Sequence, residues 1–237
     1  MTDLLFHSDA YMKEFEATVI NITDDGIILD RTAFYIGGGG QPSDIGVIKW
    51  DDTECSITKV GRSGTDIFHK ADGPTPSIGQ SVTGLINWEH RYLLMRTHTA
   101  LHILCGVVWR DYGAKVTGGD MQPGSARMDF ELESISSQFA HDIEASVNDE
   151  ISRNRPIVVG NLPREEADVH PDLIRTKINL LPKNITEVRT IDITGLDVQA
   201  DGGTHVSNTK EVGRIKVVGH ESKGRINKRL RITIEDA

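Results

Sequence analysis

Near residue 85 the sequence changes its period. Ahead of that point, short stretches alternate apolar and polar residues: Phe15 to Ile22, Ile27 to Leu29 beyond an Asp24-Asp25-Gly26 turn, Gly46 to Trp50, Ser56 to Val60, Asp66 to His69 and Gln80 to Asn87. Thr32 to Ile36 is β-branched and aromatic and reads as one more strand. Many short strands divided by Gly- and Pro-rich turns predict a small barrel. Beyond residue 85, Glu89 to Tyr112 has no Pro and a single Gly, and Leu94, Leu101, Leu104 and Val108 recur at helical spacing. Further helices are predicted over Ser136 to Asn154, stopped ahead of Pro156, and over Pro163 to Ile174. Strands are predicted at Ala126 to Leu132, at Ile157 to Val159 and from Val188 onward. Strands first and a mixed helical region after them give an α+β protein in two parts, 1–85 and 86–237.

Composition narrows the class. With 38% hydrophobic and 26% charged residues, the chain suits a soluble globular protein. No apolar run approaches the ~20 residues of a membrane helix, and Met1 to Phe15 lacks the apolar core of a secretion signal. Two cysteines, Cys55 and Cys105, exclude a disulfide framework and point to a reducing cytoplasm. The net charge of −9 opposes nucleic-acid binding, yet Lys210 to Arg231 holds eight basic and two acidic residues, +6 there and −15 elsewhere. A basic stretch on an acidic body binds phosphate locally; equally, it is an ordinary solvated strand face.

The chemistry centres on histidine. His98 and His102 lie four apart in the predicted helix, so both imidazoles share one face and reach one ion. Thr99 stands where the zinc-protease pattern needs its Glu base, which removes a peptidase reading. Downstream comes Asp201-Gly202-Gly203-Thr204-His205. The glycine pair permits a sharp turn with positive φ, and His205 is expected at a strand edge, aimed inward. Three neutral imidazoles with an open fourth position make a catalytic zinc arrangement. Histidine pairs on amphipathic helices and Gly-Gly turns are also common structural features, so the residues alone leave a structural reading open. Cys105 would stretch the ligand set over ~10 Å of helix and reads as core. His7, His69, His90, His141, His170 and His220 read as surface or packing residues.

Together these elements resemble the editing domain of alanyl-tRNA synthetase and its freestanding relatives, the AlaX-type alanyl-tRNA editing proteins. The family pattern is HxxxH followed far downstream by CxxxH; His98 and His102 complete the first half, His205 matches the second, and Asp201 occupies the cysteine position. Arg31 to Gly46, with its glycine run, is similar to the family's glycine-rich signature, and Glu221 to Arg229 resembles its C-terminal end. The resemblance covers nearly the whole chain. It implies a small N-terminal β-barrel over 1–85, carrying the glycine-rich motif, and over 86–237 a zinc-binding α+β editing domain like that of threonyl- and alanyl-tRNA synthetases. It also implies hydrolysis of the ester joining a wrong amino acid to tRNA(Ala), chiefly serine, with glycine left open. The cofactor would be Zn2+ and the partner the tRNA acceptor end; the oligomeric state is unread.

The resemblance gives residues their roles. Thr32 matches the family threonine linked to serine recognition, and a site that hydrogen-bonds a hydroxyl rejects an analogue lacking it. Gly38, Gly39 and Gly40 would wall the pocket, with Gln41 offering an amide to the substrate. No lysine follows the glycines and no helix opens there, so they are not a nucleotide-phosphate cradle. Asp201 would either ligate the metal with the three histidines or orient His205. Zinc would either activate a water or hold the substrate amino group, and no general base stands in the motifs. Lys223, Arg225 and Lys228 would meet acceptor-end phosphates. The alternatives are a tRNA-binding module without catalysis, its zinc structural, and a zinc hydrolase for another small ester.

Overall fold

The computed structural model describes residues 2–170, 172–176 and 185–235. Two compact units divide the chain, Met1–Leu94 and Met95–Ala237. The first holds β1 (Asp3–Leu4), β2 (Glu14–Thr23), β3 (Gly26–Leu29), β4 (Arg31–Thr32), β5 (Gly46–Trp50), β6 (Thr53–Ser63), β7 (Asp66–Asp72) and β8 (Ser81–Ile86). Helix α1 (Trp88–Tyr112) follows, and the division falls within it. The second unit continues with β9 (Val116–Gln122), β10 (Ser125–Glu131), α2 (Ser137–Ser152), β11 (Ile157–Pro163), α3 (Arg164–Val169), β12 (Glu187–Ile193), β13 (Asp197–Ala200), β14 (Arg214–Ser222) and β15 (Asn227–Glu235). Among the described residues, no helix is long and apolar enough to cross a membrane.

In the first unit β2, β3, β7, β6, β5 and β8 close in that order into an antiparallel barrel. Alternation in β2 and β8 sends Phe15, Ala17, Val19, Val82 and Ile86 inward, where they meet Ile27, Leu29, Ile48, Ile57, Val60 and Ile67. The strand predicted over Thr32 to Ile36 stops at Thr32. Beyond it, side chains take the backbone partners that a ladder would use: Phe34 N–H donates to Thr32 Oγ1, Tyr35 N–H to Asp44 Oδ2, and Ala33 O accepts from Arg91.

Arg91 is the polar anchor of this unit. It and Asp44 are both 0% exposed. Its Nε lies 2.9 and 2.8 Å from the carboxylate oxygens, and its Nη2 bonds the same group. Nη1 donates to Ala10 O at 2.9 Å and Nη2 to Ala33 O at 2.6 Å. Breaking a buried pair strands a charge without water, at about 3–5 kcal/mol. Asp44→Ala is therefore expected to lower the unfolding free energy by about that much in a urea titration; a wild-type midpoint would contradict this role.

In the second unit β14, β15, β10 and β9 form one antiparallel sheet, and β11, β12 and β13 another. Sequence periodicity missed β9, whose Gly118-Gly119-Asp120 centre disfavours strand; pairing with β10 imposes it. The third helix is shorter than predicted, ending at Val169. Helix α2 starts where Ser136 Oγ accepts from Phe139 N–H. Its Asn148 amide bonds both main-chain groups of Ile215, and Glu144 accepts from Val217 N–H, so α2 covers the exposed edge of β14.

Candidate metal centre

Helix α1 supplies two imidazoles and the segment after β13 supplies the rest. In the second unit, α1 is buried almost all round: Thr97, Thr99, Ala100, Ile103, Leu104, Val107 and Val108 have no exposed surface. Gly106 lets the β12–β13 turn press onto it, because a Cβ there would stand 2.9 Å from Asp197 Cβ and 3.1 Å from Leu196 Cγ. Strand β13 starts at that contact and ends at Ala200, which delivers Asp201.

The bend that follows does not use the glycine pair as predicted. Neither Gly202 nor Gly203 takes a positive φ. Instead Gly203 N–H donates to Asp201 Oδ1 at 2.6 Å, closing a side-chain turn. Arg189, on β12, clamps the bend by donating from Nη1 to Asp201 O and Gly203 O, each at 2.9 Å. His205 lies in irregular chain past β13 rather than at a strand edge.

The result is a convergence of His98, His102, Asp201 and His205, whose ligand atoms lie within 4.8 Å of one another. Asp201 carboxylate oxygens stand 3.1 Å from His205 Nε2, 3.6 Å from His98 Nε2 and 3.9 Å from His102 Nε2. Donors bound at about 2.0–2.2 Å around a tetrahedral ion stand about 3.3–3.6 Å apart, so these separations bracket the requirement. Burial pushes His98 down to about 3 and His102 and His205 to about 4. All three rings are neutral near pH 7, with lone pairs to give. Burial alone would raise the Asp201 carboxyl, but the surrounding histidines, His98 foremost, hold it well below the usual carboxylate range. One half-buried anion and three neutral, buried nitrogen donors fit a divalent cation such as zinc. Cys105, 1% exposed, stands outside this group, its thiol pushed up by burial and then by Asp197.

Thr99 orients the third imidazole. Its Oγ1 lies 3.1 Å from His205 Nδ1 and accepts from Val206 N–H at 3.3 Å. His205 Nε2 also lies 3.1 Å from Asp201 Oδ1, and a carboxylate only accepts, so without a cation Nε2 carries the proton and Thr99 donates its O–H to Nδ1. A cation taking the Nε2 lone pair would move the proton to Nδ1, where the same hydroxyl oxygen can accept it. The position that rules out a protease base thus holds a hydroxyl that orients the His205 ring, which sequence spacing did not reveal.

The remaining predicted residues fall in the first unit and on the β14–β15 hairpin. Thr32, 0% exposed, has its hydroxyl 2.8 Å from His69 Nε2. Gly37, Gly38, Gly39 and Gly40 all have positive φ, at 80°, 135°, 59° and 89°, a backbone that side-chain-bearing residues avoid. Gly38 and Gln41 exchange both main-chain hydrogen bonds, at 3.0 and 2.9 Å, and Gln41 is buried while Gly38 to Gly40 are exposed. On the β14–β15 hairpin, Lys223 and Arg225 are exposed. Lys228 is not presented to solvent: it is 3% exposed, and its Nζ donates to Gly224 O at 2.6 Å and Arg225 O at 2.9 Å. Its ammonium holds the turn that displays the other two. Arg229 is paired with Asp129 at 2.6 and 2.8 Å.

Comparison with known proteins adds an independent line. A family model described as tRNA synthetases class II (A) matches residues 6–90, and one described as Threonyl and Alanyl tRNA synthetase second additional domain matches 188–231. The chain is 38% identical over 243 residues to Alanyl-tRNA editing protein AlaX-M of Methanosarcina barkeri, covering all of both. Against Alanyl-tRNA editing protein AlaX-M of Saccharolobus solfataricus the identity is 39% over 238 residues, 99% of this chain and 100% of the relative. It is also 39% identical over 223 residues to Alanine--tRNA ligase of Ignicoccus hospitalis, matching 92% of this chain and 24% of the ligase.

Two outcomes follow from this geometry. Thr99→Val is expected to weaken divalent-cation affinity about 10–100-fold in a chelator competition, because His205 loses its orienting partner; unchanged affinity would contradict that role. The second concerns pH. Unfolded histidines gain protons below 6.5, whereas His98, His102 and His205 stay neutral in the fold down to about 3–4. The unfolded state then binds more protons, so stability falls as pH drops through that window, by up to about 1.4 kcal/mol per pH unit for each histidine. Denaturant titrations of the metal-free protein at pH 7 and pH 5 check this, and equal stabilities would refute it.

Proposed function

The chain belongs to the AlaX-type alanyl-tRNA editing proteins, and we propose that it is a zinc-dependent deacylase acting in trans on mischarged tRNA(Ala). Its main substrate is seryl-tRNA(Ala), with glycyl-tRNA(Ala) second, and it works in the cytoplasm. The barrel, 1–85, carries the glycine-rich motif, and 86–237 is the zinc-binding editing domain. The observation that carries the reading is the convergence of three neutral histidines and Asp201. His98, His102 and His205 would hold zinc, with Asp201 completing the set or bonded to His205. Bound zinc supplies Lewis acidity to ester hydrolysis. The chain's own residues do the rest. Thr99 orients the His205 ring, Arg189 clamps the Asp201 turn, and burial keeps the imidazoles neutral.

Thr32 would accept contact with the serine hydroxyl, and Gly38, Gly39, Gly40 and Gln41 would line the amino acid's place. Lys223 and Arg225 would meet acceptor-end phosphates, with Lys228 setting their turn. A second reading, a tRNA-binding module with structural zinc, is favoured by the fourth donor, since structural zinc sites are closed by four protein ligands.

Timed deacylation of seryl-tRNA(Ala) separates the two. Release well above buffer is expected for the wild type and its loss for His98→Ala and His205→Ala; no release from the wild type would overturn the deacylase reading. Thr32→Val is expected to slow serine removal by at least about tenfold while changing glycine removal little. Equal loss on both substrates would reduce Thr32 to a structural residue.

A further inference from the structure

His69 is a fully buried titratable side chain of the barrel unit that the chemistry above leaves unused. It is 0% exposed, on β7 inside the barrel unit, where Ile27 of β3 faces it in register. Both ring nitrogens are engaged: Nδ1 lies 3.0 Å from Ile27 O and Nε2 lies 2.8 Å from Thr32 Oγ1. The Phe34 ring meets the imidazole edge to face at 5.7 Å, which fixes its plane.

The carbonyl decides the polarity of the whole chain of contacts. A carbonyl oxygen only accepts, so the proton sits on Nδ1. In the neutral ring Nε2 then carries a lone pair, and Thr32 must donate its O–H to it. Burial favours that neutral form, pushing His69 down to about 4. Thr32 Oγ1 also accepts from Phe34 N–H at 3.2 Å. A hydroxyl has one proton and two lone pairs; the proton and one lone pair are spent.

We propose that His69 is a specificity-determining positioning residue: it locks the Thr32 hydroxyl as a donor toward the barrel, so Thr32 offers a ligand one lone pair and no proton. A side chain selected there must itself donate, as the serine O–H does and as alanine and glycine cannot. This rests on the reading of Thr32 as the serine contact. The selection is one of hydrogen-bond direction, made by a residue that never touches the substrate.

The test uses the full chain. Long-range proton–nitrogen correlation spectra at pH 7 are expected to show the His69 proton on Nδ1 and none on Nε2; a proton on Nε2 overturns the proposal whether or not any variant folds. Deacylation of seryl- and glycyl-tRNA(Ala) is then compared for wild type, Thr32→Val, His69→Phe and His69→Gln. His69→Phe keeps the ring and removes the acceptor, and it is expected to lower the serine-to-glycine rate ratio roughly tenfold, as Thr32→Val does, with zinc content unchanged. His69→Gln, whose amide oxygen can replace Nε2 as acceptor, is expected to recover most of the ratio. A ratio reduced in Thr32→Val and untouched in His69→Phe overturns the lock and leaves the editing reading standing. A wild type that leaves seryl-tRNA intact overturns both.

Discussion

Four donors taken out of water together set the terms for the second unit of this protein. Three imidazoles 4–7% exposed stay unprotonated because no solvent is at hand to carry the charge. The carboxylate among them stays ionised. That combination leaves a negative charge in a region of low dielectric, which the Gly203 N–H, His205 and the Arg189 guanidinium offset and a cation would neutralise. The surrounding structure serves this arrangement. Gly106 gives up a side chain so that β13 can start close to α1. Arg189 places a guanidinium on the turn's carbonyls, and Thr99 spends its hydroxyl on one ring nitrogen.

The barrel unit handles buried polarity differently. Arg91 and Asp44 cancel each other and satisfy main-chain carbonyls, so they define the loop from Ala33 to Asp44 and leave no unmet demand. Thr32 and His69 are neutral and directional. A charged pair of that depth is an anchor, whereas the neutral pair leaves one lone pair of the Thr32 hydroxyl unspent.

Periodicity made the elements legible where burial follows it. The barrel strands and α2 lie within a few residues of their predicted spans because one face of each is core, and α1 does because a long run without Pro is buried almost all round. The histidine pair was legible for the same reason: i and i+4 on a helix is a spatial statement. Where side chains rather than ladders satisfy the backbone, as after Thr32, propensity misled; where a partner strand imposes pairing, as at β9, it was silent. His205 was placed near the right neighbours by motif, but its turn depends on an Asp201 hydrogen bond rather than on glycine φ angles. His69 and Thr99 carried no sequence signal, since their partners lie 37 and 106 residues away.

The hairpin of β14 and β15 shows that charge counted along a chain differs from charge available to a polyanion. Of the eight positive residues between Lys210 and Arg231, Lys228 is spent on carbonyls, Arg229 on Asp129 and Arg231 on Glu221. Counterion release scores only cations that actually replace condensed ions, with a slope of about −0.7 to −0.9 in log affinity against log salt for each. A nucleic acid held by this hairpin would therefore respond to ionic strength with the shallow exponent of a few contacts. Grip on such a polyanion would then owe more to shape and less to attraction at a distance.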